Sequence, residues 1–406
     1  MRIAFLGKGG SGKTTTAAGF ARYLAARFPF VLAVDADVNA HFKTALGLAG
    51  DTLALEAYFD EVIAHLRGNR SDLGERVMLA TTPPSLQSAF IRPSADDELI
   101  KRYALVDGSL ALLTVGRYNA ADLGGSCYHT KLFGLAAVLH HMLDGKNDFV
   151  VADTTAGTDN LATSLWFAYD MNVFVVEPTA KSVSVYHDFI NVSPDLAEKT
   201  FVVGNKVEGE EDEEFIRDAV GAAKYLGSIP LSRHLKRFEQ GKPGALEAFR
   251  KEQDGPFQKV LETLQSRQRD WPAYLERLRS THTRTCRDWF NEFYGMKLDV
   301  DLDPDFAYEK VMGEVPPQPL PCLVGSKSTV VSVAGEPTGS SQDQSESPAT
   351  AGDVVASEFA PCATPLSVGS DAVPAVSVGA VVETATDLSS QSSTDVPAAT
   401  KADGLS

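Results

Sequence analysis

Nine residues, Gly7-Lys8-Gly9-Gly10-Ser11-Gly12-Lys13-Thr14-Thr15, set the chemistry this chain can do. Glycines at 7, 9, 10 and 12 let the backbone curl until successive N–H groups face one point, which is how a loop cradles phosphate oxygens. Gly7-x4-Gly12-Lys13-Thr14 fits the glycine-rich phosphate-loop spacing, in which Lys13 reaches the β- and γ-phosphates of a nucleotide and the Thr14 hydroxyl ligates Mg²⁺. The spacing gains weight from its setting. The buried-strand run RIAFLG (2–7) precedes it and a helical stretch, 13–28, follows, so a helix N-terminus adds its dipole to the anion site. VDADVNAH (34–41) and VVADTTAG (150–157) put Asp35, Asp37 and Asp153 at strand ends, beside the crevice that a parallel sheet opens at its carboxyl edge.

The elements that must position these residues read as a repeating strand–helix chain. Continuous apolar runs at 2–7, 30–36, 109–116, 148–154, 171–178, 200–207 and 226–231 indicate strands covered on both faces. Helical patterns at 13–28, 128–143 and 181–189 lie between them. The fold class is α/β, a doubly wound and mostly parallel sheet. Residues 51–108 are the least regular part, with a helix from about 52 to 66 and a weak strand at RVMLAT (76–81). From 244 to 294 the period becomes helical, with one stripe through Leu246, Phe249, Phe257, Val260, Leu261 and Leu264 and a second through Trp271, Tyr274, Leu275, Leu278 and Trp289. His282 and Cys286 fall on that second stripe as packing residues, and His140 and His141 read as surface or core positions of an earlier helix. A helical appendage that covers the sheet or grips a partner accounts for both stripes.

Charge separates the rest. The chain of 406 residues carries a formal charge of −17, and from Glu314 onward there are eleven acidic residues, two lysines and a single aromatic, Phe359. That tail holds ten of the 21 prolines among Ser/Thr/Ala/Val/Gly stretches, too little apolar surface to offset chain entropy, so residues 314–406 are expected to be disordered. The acidic balance argues against nucleic acid and against a charge-held membrane surface. Four scattered cysteines make no disulfide scaffold. With no signal-peptide pattern and no apolar run long enough to span a bilayer, a cytoplasmic location without a membrane anchor is the expectation.

The second lysine of the loop, Lys8, makes KGGxGKTT resemble the deviant Walker A motif of the P-loop ATPase family that includes MinD, ParA and the nitrogenase iron protein. Its pattern is most similar to the nickel-insertion (maturation) ATPase of carbon monoxide dehydrogenase. The resemblance covers residues 1–240. It implies that Lys8 crosses a dimer interface to phosphates bound by the other subunit, as an arginine finger does elsewhere, and hence an ATP-sandwich homodimer. It further implies that Asp37 positions the attacking water, that Asp35 supports the Mg²⁺ shell, that Asp153 holds Mg²⁺ at the Walker B position, and that 154–157, with Gly157, form a second switch. GNKV (204–207) is similar to the segment whose asparagine, here Asn205, reads the adenine edge. IPLSRH (229–234), containing Pro230, resembles the loop that closes over the base; Ser232 stands where many relatives have aspartate. On this basis residues 1–240 are a P-loop ATPase domain, 241–313 the helical appendage and 314–406 the tail.

Between the two switches lies GGSCYHTKLFGLAAVLHHML (124–143), in the region where relatives carry cluster- or nickel-binding cysteines. Here it offers Cys127-x-His129. One such pair from each subunit makes a tetrahedral S₂N₂ set suited to zinc, and conceivable for nickel or an iron–sulfur cluster. A Cys and a His near a helix start are more commonly packing or capping residues, the reading that a single Cys-x-His favours. The expected function is a Mg²⁺-dependent ATPase whose nucleotide state controls a homodimer, of the maturation or metal-insertion type and acting on a client protein. The alternative is a positioning or regulatory ATPase acting through a protein partner without metal cargo.

Overall fold

The computed structural model describes residues 1–119, 122, 128–157, 159–242, 244–300 and 302–313. The expectations for Cys127 and for the 314–406 tail therefore fall outside the described residues.

Among the described residues one eight-stranded sheet runs in the order β3-β4-β2-β5-β1-β6-β7-β8. Its strands are β1 (Arg2–Gly7), β2 (Val31–Ala36), β3 (Leu105–Asp107), β4 (Leu110–Thr114), β5 (Phe149–Thr154), β6 (Met171–Val176), β7 (Thr200–Val207) and β8 (Tyr225–Pro230). All neighbours are parallel except β3, which pairs antiparallel with β4 at the edge. β1 sits between β5 and β6, with β2 and β4 on one side of that group and β7 and β8 on the other, so the crevice at its carboxyl end is the switch point where such sheets bind ligands.

The inner strands β1, β2, β4, β5 and β6 are buried on both faces, and their side chains alternate between two apolar layers. Ala4, Leu6, Leu32, Val34, Val150, Ala152 and Phe174 face one layer; Ile3, Phe5, Val31, Ala33, Phe149, Val151 and Val173 face the other. The helices are α1 (Lys13–Ala25), α2 (Phe42–Leu46), α3 (Phe59–Arg67), α4 (Glu98–Tyr103), α5 (Tyr128–His140), α6 (Leu165–Ala168), α7 (Ala180–Ile190), α8 (Pro194–Lys199), α9 (Glu210–Val220) and α10 (Arg233–Glu239). They are followed by α11 (Ala245–Gln265), α12 (Trp271–Thr285), α13 (Asn291–Tyr294) and α14 (Tyr308–Met312). The first stripe read in the C-terminal region packs onto the sheet. Phe257 of α11 meets Phe20 of α1 edge-on at 5.5 Å, and Val260, Leu261 and Leu264 join the same layer as α1. Gly19 makes this approach possible, since a Cβ there would lie 2.3 Å from Gln253 Oε1. The second stripe closes a smaller cluster of Tyr274, Leu275, Leu278, Phe306 and Tyr308 with Leu143 and Phe167.

Two local readings change. RVMLAT is not a strand: Met78 turns into the main core, while Leu79 turns into a separate cluster with Cys286 and Leu298, and the Thr82 hydroxyl accepts the Leu79 N–H at 2.8 Å. Its apolar residues anchor a loop to two cores. The helix read over 52–66 begins later, as a 3₁₀ turn (Leu55–Tyr58) running into α3. No helix among the described residues is long and apolar enough to cross a membrane.

Candidate functional site

β1 delivers the chain into the loop at Gly7 and α1 begins at Lys13. Gly10 and Gly12 adopt left-handed backbones, with φ of 83° and 92°. At Gly12 a Cβ would fall 2.1 Å from Asn205 Nδ2, so both conformation and space require glycine there. Gly12 caps α1 without a side-chain bond, leaving the first-turn N–H groups of Lys13, Thr14 and Thr15 to an incoming anion. Gly9 and Gly10 are exposed on the outer curve. The loop is gripped from β7 and from the turn after β5: Asn205 Nδ2 donates to the Ser11 carbonyl at 2.7 Å, Lys206 Nζ to the Gly10 carbonyl at 2.7 Å, and the Gly157 N–H to the Gly7 carbonyl at 3.1 Å.

Beneath the loop lies a knot of buried charge. Lys13 pairs with Asp37 and stands 3.6 Å from Asp153. β2 and β5 run in register so that Asp35 lies beside Asp153. Both Asp35 oxygens serve the turn that follows, accepting the Phe42 N–H at 3.0 Å and the Asp37 N–H at 3.3 Å. Asp37 Oδ1 accepts the backbone and side-chain N–H of Asn39, each at 2.9 Å, leaving Oδ2 to Lys13. Asp153 is fully buried; its carboxyl faces the Thr14 hydroxyl and, at 3.6 Å, Lys13 Nζ without a close hydrogen bond, and the buried hydroxyls of Ser11 and Thr155 have no hydrogen-bond partner. Burial pushes the Asp153 carboxyl up to about 7 and that of Asp35 up to about 6. Buried acceptors without close donors fit a cation, and buried hydroxyls beside uncapped N–H groups fit phosphate oxygens. Mg²⁺ with a nucleotide would supply both, and Asp153 and Thr14 are the candidate ligands for the ion.

A stability experiment follows from this burial. Between about pH 4 and 7 the folded protein retains a proton on Asp153 that the unfolded chain has released, so this group weakens the fold as pH rises through that window. His141 and His282, pushed down to about 4 by burial, slope the opposite way, so the effect is read as a difference between variants. Without Mg²⁺, Asp153→Asn gains on the wild type by up to about 1.4 kcal/mol per pH unit between pH 5 and 7. Denaturant titrations at pH 5, 6 and 7 check this; a gap that stays constant or closes with rising pH contradicts it.

Residues 3–243 match the family described as the CobQ/CobB/MinD/ParA nucleotide binding domain. The chain belongs to this family. Over 241 residues it is 28% identical to the carbon monoxide dehydrogenase accessory protein CooC of Rhodospirillum rubrum, covering 59% of this chain and 87% of that protein. Over 254 residues it is 29% identical to an uncharacterized ATP-binding protein of Methanocaldococcus jannaschii, covering 61% of this chain and 92% of that one. Among solved structures, the MinC:MinD cell division protein complex of Aquifex aeolicus matches with a TM-score of 0.42 at 19% identity, covering 66% of this chain and 96% of that one.

Within this family member the sequence-derived residues gather at one end of the sheet. Gly7 to Thr15, Asp35, Asp37, Asp153 and Gly157 surround the crevice, with Gly157 in a left-handed turn (φ 74°). Asn205, expected at the adenine edge, gives its amide N–H to the loop carbonyl of Ser11. Pro230 ends β8 in register with Val207, and Ser232 caps α10 by accepting the His234 and Leu235 N–H groups, a task aspartate performs equally well. His129 lies on the first turn of α5. Among the described residues no group of three or more His, Cys, Asp or Glu side chains forms a metal site. His140, His141, His282 and Cys286 are buried; His140 bridges the Tyr274 and Ser164 hydroxyls, and His282 contacts Thr81 and the Leu298 carbonyl. The sequence reading missed Glu177 and Lys206, which bear on the loop from β6 and β7. The available signal was a charged residue at the end of an otherwise apolar strand run.

Proposed function

We propose that this protein is a Mg²⁺-dependent ATPase that works as a dimerisation switch, of the maturation or metal-insertion type. The observation that carries the reading is the opposite aim of two lysines on one loop. Lys13 turns inward onto Asp37 and Asp153, while Lys8 keeps 28% of its side chain exposed on the outer face. Loop N–H groups and the N-terminus of α1 bind the phosphates, and Lys13 moves from Asp37 to the β/γ oxygens. That transfer frees Asp37 Oδ2 to accept a hydrogen bond from the attacking water, while Asn39 keeps the carboxylate oriented through Oδ1. Mg²⁺, when bound, neutralises charge on the β- and γ-phosphates. Lys8 does the same for phosphates of the facing subunit. Gly157, bonded to Gly7, exchanges that bond as the γ-phosphate comes and goes, and so couples hydrolysis to the second switch.

The metal-handling part rests on the likeness to CooC, a carbon monoxide dehydrogenase accessory protein, and on the Cys127-x-His129 pair of the sequence, whose histidine lies in the first turn of α5. Anaerobically prepared protein held with a non-hydrolysable ATP analogue is expected to carry about half an equivalent of zinc, nickel or iron per subunit, lost in Cys127→Ala. Elemental analysis of both proteins checks it. Absence of all three metals removes the cargo and leaves a nucleotide switch that acts through its client alone.

A further inference from the structure

We infer that Glu177 is a latch that holds Lys8 on its own subunit and so sets the threshold for ATP-dependent dimerisation; this rests on the dimerising-ATPase reading above. Glu177 follows the last residue of β6. One of its oxygens lies 3.7 Å from Lys8 Nζ, the other 2.6 Å from Lys206 Nζ. Its backbone cannot follow a moving lysine: the Glu177 N–H donates to Ser182 Oγ at 3.1 Å, its carbonyl accepts the Thr179 N–H at 2.7 Å, and Ser182 is fully buried in the first turn of α7. Lys206 is equally tied. It adopts a left-handed backbone (φ 59°), rare for a non-glycine residue, and its amine also bonds the Gly10 carbonyl. Lys8 is the mobile member, otherwise tied by a 3.4 Å bond to the adjacent Gly9 carbonyl.

Two lysines on one carboxylate give each a distinct part. Lys206 keeps Glu177 neutralised and in place whether or not Lys8 is present. Lys8 is then free to leave without stranding a charge, and the phosphates of a facing subunit compete for it. In a two-fold dimer both subunits release the contact, so a weak ion pair counts twice. Glu177 is in this sense a positioning residue that acts through Lys8.

The test compares wild type, Glu177→Gln and Glu177→Asp by sedimentation with a non-hydrolysable ATP analogue and Mg²⁺, together with acetylation footprinting of Lys8 in the monomer. Glu177→Gln is expected to reach half-maximal dimerisation at about ten-fold lower protein concentration, since two surface ion pairs are removed. Lys8 acetylates several-fold faster in this variant while exposed Lys251 keeps its rate. Glu177→Asp stays near wild type in both. A dimerisation curve that is unchanged, or displaced to higher concentration, overturns the latch, the second result making Glu177 a residue that presents Lys8 to the partner. A wild type that never dimerises with nucleotide overturns the switch reading itself, and the latch with it.

Discussion

Lys13→Ala lowers Mg²⁺-dependent ATP turnover by about a thousand-fold or more, and Lys8→Ala lowers it comparably by a different route. Lys13 is the cation set against both Asp37 and Asp153, so without it the phosphates meet a buried pocket of uncompensated carboxylate charge. The fold tolerates this loss because burial already raises Asp153 to about 7, which lets that carboxyl take up a proton. Lys13→Ala therefore stays folded and loses nucleotide affinity. Lys8 lies outside that pocket, and Lys8→Ala keeps nucleotide affinity while failing to dimerise. Calorimetric titration with ATP and sedimentation separate the two variants. Normal turnover by Lys13→Ala overturns the assignment of the phosphate loop; normal dimerisation by Lys8→Ala overturns the trans role of its outer lysine.

The parts of this architecture that were legible in the sequence are those whose physics is local. A strand buried on both faces must be apolar throughout, so β1, β2, β5, β6 and β7 appear as continuous runs; the phosphate loop is local because its geometry needs glycines at fixed positions. β3 escaped because it is three residues long and exposed at two of them, with nothing in its pattern to separate it from a turn. RVMLAT misled for the converse reason: its apolar residues anchor to two different clusters, and hydrophobicity alone does not say which neighbour receives a side chain. Glu177 and its lysines were illegible because their meeting depends on β1, β6 and β7 lying side by side. No spacing rule joins residues from three strands. The buried charge at the opposite end of the sheet was hidden in the same way, although Arg2, at the head of an otherwise apolar strand, was a visible anomaly.

That second cluster supports the other large effect: Arg269→Ala destabilises the protein by about 3–5 kcal/mol, a fall in Tm of roughly 10 °C. The Arg269 guanidinium forks across two buried carboxylates. Nε and Nη2 donate to Asp170 at 2.8 and 2.7 Å, while Nη1 and Nη2 donate to Asp144 at 2.8 and 2.9 Å. Arg2 bonds the same Asp144 from β1, and the Trp271 ring lies 4.4 Å from the Arg269 guanidinium. The cluster thereby joins α12 to the first strand of the sheet. Burial by itself raises Asp144 and Asp170, yet Arg2 and Arg269 outweigh it at Asp144, as Arg269 does at Asp170, and hold both below the usual carboxylate range. Stability from these groups is present above their unfolded pKa and lost as pH falls through their folded values, so between pH 5 and 8 the wild type keeps it in full. In Arg269→Ala Arg2 and the N-terminal ammonium still hold Asp144 down, but burial dominates at Asp170, whose carboxyl rises, and its protonation relieves the variant as the medium is acidified. The gap to wild type is therefore expected to be wider at pH 8 than at pH 5, a direction that lost packing alone does not produce. Arg269→Lys recovers little, because a point charge cannot bond two carboxylates in the plane of a fork. Thermal unfolding of the three proteins at both pH values decides it, and a gap that is the same at pH 5 and pH 8 rejects the charge argument in favour of packing.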